Sequence, residues 1–370
     1  MRIGSGRAAA RGAAAGAPEN GGSGPHRAET TAAGSWLVLG KDGRLTAYAR
    51  ARTGLLRWTQ HRPGGREWTG PGLFPVTGLT DLFVAQGADT YVHFLGRRET
   101  VKAGGPPAVD VVHAIQYQTG RPVTEWRSLG NPHKDRAKAA RLGAPAAGVG
   151  ADGSVHVLVR NAGGGVMLRR ELASGKWSPW TDLKGDGVRG AVSVVAHSCG
   201  RVEARAAGGD VLLRWTQDEP GGAFRQEPAL PLAGARGGAV GLETAPGRAT
   251  YYWADPTAGE VVAHRPPDGV IPLGGVPAED SVAVLRAPLD GYDCTVLAHR
   301  GAGGEVLLAA CVTENERAGV DWAPTGEHAV GAPALARDAN GRVVLGVIRA
   351  DGTLRTSRLA APDFGFPEDA

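Results

Sequence analysis

A chain of 370 residues exceeds the usual single-domain range and calls for two domains or one large repetitive fold. Its 58 Gly and 25 Pro argue against long helices and for short strands joined by tight turns, while 42% hydrophobic residues suffice for a core. Half of the net charge of +4 comes from residues 1–33, where Arg2, Arg7, Arg11 and Arg27 stand against Glu19 and Glu29; the rest is scattered, which excludes the clustered basic face that nucleic-acid binding needs.

Residues 1–34 read as a flexible Ala/Gly/Arg-rich tail, and residues 35–370 as the folded part. The tail lacks the uninterrupted apolar stretch of a signal peptide, and no run of about 18 apolar residues marks a membrane helix. The expected location is therefore the cytoplasm, with no membrane partner. Scarce Lys beside abundant Arg, Ala and Gly suggests a high-GC bacterial genome.

From residue 35 a period appears. Each unit carries a turn after its first strand, at Gly43, Asp89, Gly153, Gly200, Gly247, Gly291 and Gly341. Successive differences of 46, 64, 47, 47, 44 and 50 residues define seven units, the second one lengthened. In unit one, DGRLTAYAR is a second strand and LLRWTQ (55–60) a third, followed by the turn HRPGG and by REWTGPGLF, which holds Trp68. Unit two has TEWRSLG with Trp126 and two insertions, 96–110 between its second and third strands and 131–145 before unit three. The latter predicts a short basic helix capped near Asn131 and ended by Gly143.

Unit three shows the plan in full. APAAGVG, SVHVLVR, VMLRREL and KWSPWTDL are four strands separated by ADG, NAGGG and ASG, a meander read from alternation and glycine turns. Unit four repeats LLRWTQ at 212–217, again followed by P-G-G; the phrase recurs because the same third strand recurs. In unit six, a two-residue turn at Ala302-Gly303 would set Cys294 opposite Cys311. Such a register admits a bridge, although a reducing cytosol favours two buried thiols. Cys199 has no evident partner. The last unit, ending GTLRTSRLAAPDFGFPEDA, has three strands and a doubtful fourth, its outer edge frayed or patched by residues just before Ser35. One four-stranded sheet cannot bury both faces, whereas seven stacked around an axis can. The expected fold is all-β, a seven-bladed β-propeller.

The phrase GKWSPWTDLKGDG resembles the W-x-x-W-x-x-L-G-G segment of PLL-type bacterial fucose-binding lectins and related tectonin/tachylectin-like propellers. LLRWTQ resembles the third strand of those repeats. The resemblance implies sugar sites between neighbouring blades, where an indole face suits the C–H patch of a pyranose. It points to Trp177 and Trp180 first, then to Trp58, Trp215, Trp68 and Trp126, with a carbohydrate or glycosylated small molecule as partner. Only unit three keeps both tryptophans, whereas a multivalent lectin draws on many equal sites. YYWADPTAG (251–259) is a single YWTD-like copy, and no S-x-D-x-G-x-x-W box supports a sialidase.

Two other function classes stand beside this one. First-strand residues line the channel of a propeller, so His197, Glu243, Arg286 and Arg337 converging there would make a general-base and oxyanion-binding site for cofactor-independent cyclase, lyase or hydrolase chemistry. The alternative for these four is a buried ion network. A protein-interaction scaffold is the third reading. His93 and His156 are expected to be packed rather than to bind metal. Clusters such as GAGG and NAGGG sit in hairpin turns, not between a strand and a helix. No cofactor and no metal are expected, and oligomeric state is left open.

Overall fold

The computed structural model describes residues 26–101, 107–233, 238–278 and 282–359. Seven antiparallel sheets succeed one another along the chain. From the second sheet to the seventh, neighbours touch through their inner strands, the first sheet meets the second through Leu45–Ala51, and Ala334–Arg337 of the last meets Leu37–Leu39 of the first. The chain is a seven-bladed β-propeller, and its blades are numbered here in chain order.

Blade 3 shows why these residues build this element. Ala146–Val149, Val155–Arg160 and Val166–Arg170 pair in sequence. The first turn closes with Gly153 N–H on the Gly150 carbonyl at 2.9 Å, with Gly153 at φ 80°, where glycine carries no steric penalty. Alternation sends Val155, Val157 and Val159 into one core cluster and Leu158 into the next, so both faces are buried against neighbouring blades. The outer strand is shorter than KWSPWTDL suggested. Pro179 has no N–H to give, Trp177 makes only an isolated bridge to Glu171, and ladder pairing is limited to Thr181–Asp182.

Ring closure differs from expectation. Among the described residues, those before Ser35 do not pair with the outer edge of the last blade. Thr30 and Thr31 pair with Arg50 and Ala49 on the second strand of blade 1, and Ala33–Gly34 runs parallel to Phe83–Val84, the innermost strand of blade 2. Ala28 N–H reaches the Gly352 carbonyl of blade 7 at 3.1 Å. Because the inner strand of blade 1 spans only Leu37–Leu39, the edge at Ala49–Arg50 is open to this strap. The folded body thus starts ahead of Ser35, while residues 1–25 of the expected tail lie outside the described residues. Blade 7 has Ala334–Arg337, Val343–Ile348 and Leu354–Arg358. Its doubtful fourth strand falls on residues 360–370, also outside the described residues.

The first insertion of unit two is a lengthened hairpin, Val92–Thr100 with Ala108–Gln116, whose tip at 102–106 is outside the described residues. The second holds a helix at Arg136–Ala140, capped by Asp135 rather than Asn131. Asn131 instead ties the loop down, donating to the carbonyls of Val109 at 2.9 Å and Ala139 at 3.2 Å. The cysteines of blade 6 are one step out of the expected register: Cys294 faces Val312, and Cys311 faces Thr295. A slip of one residue puts the two side chains on opposite faces, and both are free, buried thiols.

Candidate functional site

The repeated phrase builds the same joint twice. The buried Gln60 accepts Leu45 N–H at 2.9 Å and donates to the Gly65 carbonyl at 3.0 Å; Gln217 accepts Val202 N–H at 2.8 Å and donates to Gly222 at 2.9 Å. Each P-G-G turn then receives an arginine from the third strand of the preceding blade, Arg358 onto Gly64 and Gly65, Arg170 onto Gly221. The tryptophans of the phrase are packing residues. Trp58 and Trp215 are 1% and 0% exposed, and Trp215 gives its indole N–H to the Leu183 carbonyl of blade 3 at 2.8 Å. Trp58 finds no acceptor among the described residues. Trp68, 6% exposed, is buried as well.

Three tryptophans at the outer strands of later blades, Trp177, Trp180 and Trp322, follow a second rule and reach back to the preceding blade. Trp180 donates to Leu129 of blade 2 at 3.1 Å, and Trp322 to Leu273 of blade 5 at 2.9 Å. Trp177 sets its ring at 72° to His113, centroids 5.1 Å apart. These half-buried rings fill their seams. Trp126 departs from the rule. It leans on Phe94 and, with no carbonyl for its N–H among the described residues, lines a cleft of about 800 Å³ between blades 1 and 2.

That cleft joins the end of the outer strand of blade 1, Phe74 to Val76, with the top of the long hairpin and the segment Val123–Trp126. Its polar lining includes Arg98, Glu99, Thr100, Thr124 and Glu125. Asp110 holds the Arg98 guanidinium with both oxygens, at 3.2 and 2.8 Å. Glu99 takes one bond from Arg97 at 2.6 Å, leaving its second oxygen open. Thr124 accepts Ile115 N–H at 2.9 Å, so its own hydroxyl proton is available. A π-face beside carboxylate and hydroxyl groups suits a small ligand with one apolar face and a polar edge.

This fold is shared with a bacterial lectin. The BP39L lectin from Burkholderia pseudomallei superimposes with a TM-score of 0.67 at 12% identity, over 89% of this chain and 96% of that one. The intramolecular trans-sialidase from Ruminococcus gnavus, solved in complex with oseltamivir carboxylate, gives 0.51 at 10% identity, over 89% and 94%. At such identities the likeness is one of fold. No protein-family model and no curated protein matches the sequence.

The four channel residues are placed as follows. His197 is 5% exposed, with Nδ1 3.4 Å from Glu243 and Nε2 3.6 Å from Glu203. Glu243 also accepts Ser198 N–H at 2.8 Å and Gly247 N–H at 2.7 Å. Burial opposes protonation of His197, but Glu203 and Glu243 together raise its pKa. Arg286 turns onto Asp293 of its own blade at 2.6 Å, and Arg337 lies exposed over its own turn at Gly341. So His197 and Glu243 meet, while Arg286 is held by Asp293 and Arg337 stands exposed on its own blade. Among the described residues no group of three His, Cys, Asp or Glu is placed to hold a metal, and no helix is long and apolar enough to cross a membrane.

His93 and His113 are stacked, with Nδ1 and Nε2 3.2 Å apart; both are buried, and Trp177 packs edge-on against His113. Burial pushes their pKa values down to about 4 and about 3, so the folded protein keeps them neutral. The unfolded chain protonates near pH 6.5 and binds more protons below it. Stability is therefore full above about pH 6.5 and is lost as pH falls toward 4, by about 3 kcal/mol for His93 alone. Urea midpoints at pH 7, 5.5 and 4.5 are expected to fall in that order, and His93→Gln with His113→Gln to flatten the slope; identical slopes in both proteins would refute the assignment.

Proposed function

We propose that this protein is a lectin-like propeller that binds a carbohydrate, or a small molecule carrying one, in the cleft between blades 1 and 2, with the pyranose stacked on Trp126. The observation that carries this reading is the open indole. Where Trp180 and Trp322 close their seams, Trp126 faces about 800 Å³ of space beside acceptors suited to a sugar diol. The lectin fold of BP39L supports the class of ligand. With Arg98 engaged by Asp110, and Glu99 and Glu125 in the lining, the site favours neutral sugars and repels a sugar carboxylate.

Titration of tryptophan fluorescence with a panel of monosaccharides is expected to show saturable binding of at least one neutral sugar. N-acetylneuraminic acid is expected to bind more weakly. Trp126→Ala should weaken binding about tenfold, or about 1.4 kcal/mol, whereas Trp177→Ala should leave it unchanged. Binding that survives Trp126→Ala and is lost in Trp177→Ala would move the site to the seam of blades 2 and 3.

A further inference from the structure

The seam between blades 4 and 5 carries more positive charge than its carboxylates answer. Arg205 and Arg214 are direct cross-strand partners in blade 4, so two like charges leave the same face side by side, an arrangement that repels. Arg205, 3% exposed, lies 3.5 Å over the Tyr251 ring of blade 5. The carboxylate facing it, Glu203 at 3.8 Å, also takes the Tyr251 hydroxyl and faces His197.

Arg214 is half-buried and makes no hydrogen bond or ion pair among the described residues. Its twin in the repeated phrase, Arg57, donates to the carbonyls of Arg121 at 2.5 Å and Gly120 at 3.4 Å; blade 5 offers Arg214 no such carbonyl. Glu227, opposite it in register, is turned to Thr216 and Arg225. His264, 3.2 Å from Arg205, supplies no negative charge, and burial together with both arginines pushes its pKa down to about 4.

Hydrogen bonding shows the same deficit. Arg205 Nε, Arg214 Nε and Trp253 Nε1 are buried donors without an acceptor among the described residues. Trp253 is 2% exposed and lies on the face of blade 5 that carries Tyr251 and His264. Guanidinium and indole groups are donors only, so what is missing is an acceptor with negative charge. Buried N–H groups without a partner are otherwise strongly unfavourable.

We propose that the seam of blades 4 and 5 binds one small monovalent anion of halide size, held by Arg205 and Arg214 with the Trp253 indole N–H as a further donor. A halide accepts N–H groups from any direction and needs no donor of its own. Half-buried Arg214 marks the way in. The site is independent of the cleft at blades 1 and 2.

Thermal unfolding at equal ionic strength in sodium bromide, chloride, fluoride and gluconate tests this. With about 200 mM bromide or chloride, the midpoint is expected to rise by about 3 °C over gluconate, and Arg214→Met to erase the difference. Should Arg214→Met fail to fold, Trp253→Phe, which removes one donor, is expected to reduce the increment. Crystals grown in bromide would show an anomalous peak between Arg205 and Arg214. Equal midpoints in all four salts, or bromide bound only at the surface, would overturn the proposal and assign the three N–H groups to water.

Discussion

Replacing Glu316 by Ala is expected to lower stability by about 3–5 kcal/mol. Glu316 is 0% exposed although it sits in a loop, the short turn Glu316–Ala318 that leaves blade 6 and folds over blade 5. There its carboxylate receives Arg265 at 2.8 Å and the Tyr252 hydroxyl at 2.9 Å. Arg265 in turn bonds Thr250 and the Glu314 carbonyl, both at 3.1 Å. Removing the carboxylate leaves a guanidinium in the seam with its main counter-charge gone, and that penalty dominates the loss. Urea unfolding of Glu316→Ala gives the size. The pair Arg265→Met with Glu316→Leu is expected to recover most of it, since two apolar side chains leave no charge unanswered; a double variant as unstable as Glu316→Ala would show that packing, not charge, was lost.

Deleting residues 1–34 is expected to cost on the order of 5 kcal/mol, counting about 1 kcal/mol for each net backbone hydrogen bond and the burial of two alanines, whereas deleting residues 1–25 should leave the midpoint unchanged. The strap from Ala28 to Gly34 touches three blades. Ala28 and Ala32 are 9% and 2% exposed, Glu29 N–H bonds the Arg50 carbonyl at 2.9 Å, and Ser35 N–H bonds Val84 at 2.9 Å. The Glu29–Arg50 ion pair at 3.0 Å, 43% and 21% exposed, adds little. Gly34 offers a finer probe. At φ 74°, a Cβ there would lie 2.3 Å from the Val84 carbonyl, so Gly34→Val should detach the end of the strap from blade 2. Amide exchange at Ala49, Arg50 and Phe83 reads this directly; protection unchanged by deletion to residue 34 would rule the strap out as the closure.

Much of the architecture is local and could be read in advance. Val155–Arg160 alternates because both of its faces meet a neighbouring blade, and the turn at Gly153 is closed by residues within four positions of one another. The repeated phrase was recognisable as one strand met twice, and its glutamines and P-G-G turns are indeed equivalent. What the phrase meant for function was not recognisable. Trp58 and Trp215 lie on third strands and Trp126 just ahead of a fourth, and only the neighbouring blade decides whether an indole is sealed or faces an opening. Phe74, Arg98, Glu99 and Glu125 were missed as lining residues because nothing local marks them; the lengthened second unit was the one available signal. The cysteine register failed for a smaller reason: the hairpin closes with Gly301 N–H on the Glu305 carbonyl at 2.8 Å, a turn centred half a residue from the one assumed, and half a residue is enough to exchange faces.

The amino-acid order by itself determined that this chain makes seven small antiparallel sheets and joins them in a ring, since alternation and turn glycines act over a few residues and their spacing counts the blades. Only the tertiary structure decided how the ring closes, which seam stays open and where arginines meet without an acceptor. Those outcomes rest on partners remote in sequence, as when Arg342 reaches the Gly64 carbonyl across 278 residues, and no periodicity of the chain encodes which carbonyl or carboxylate will stand opposite a given side chain.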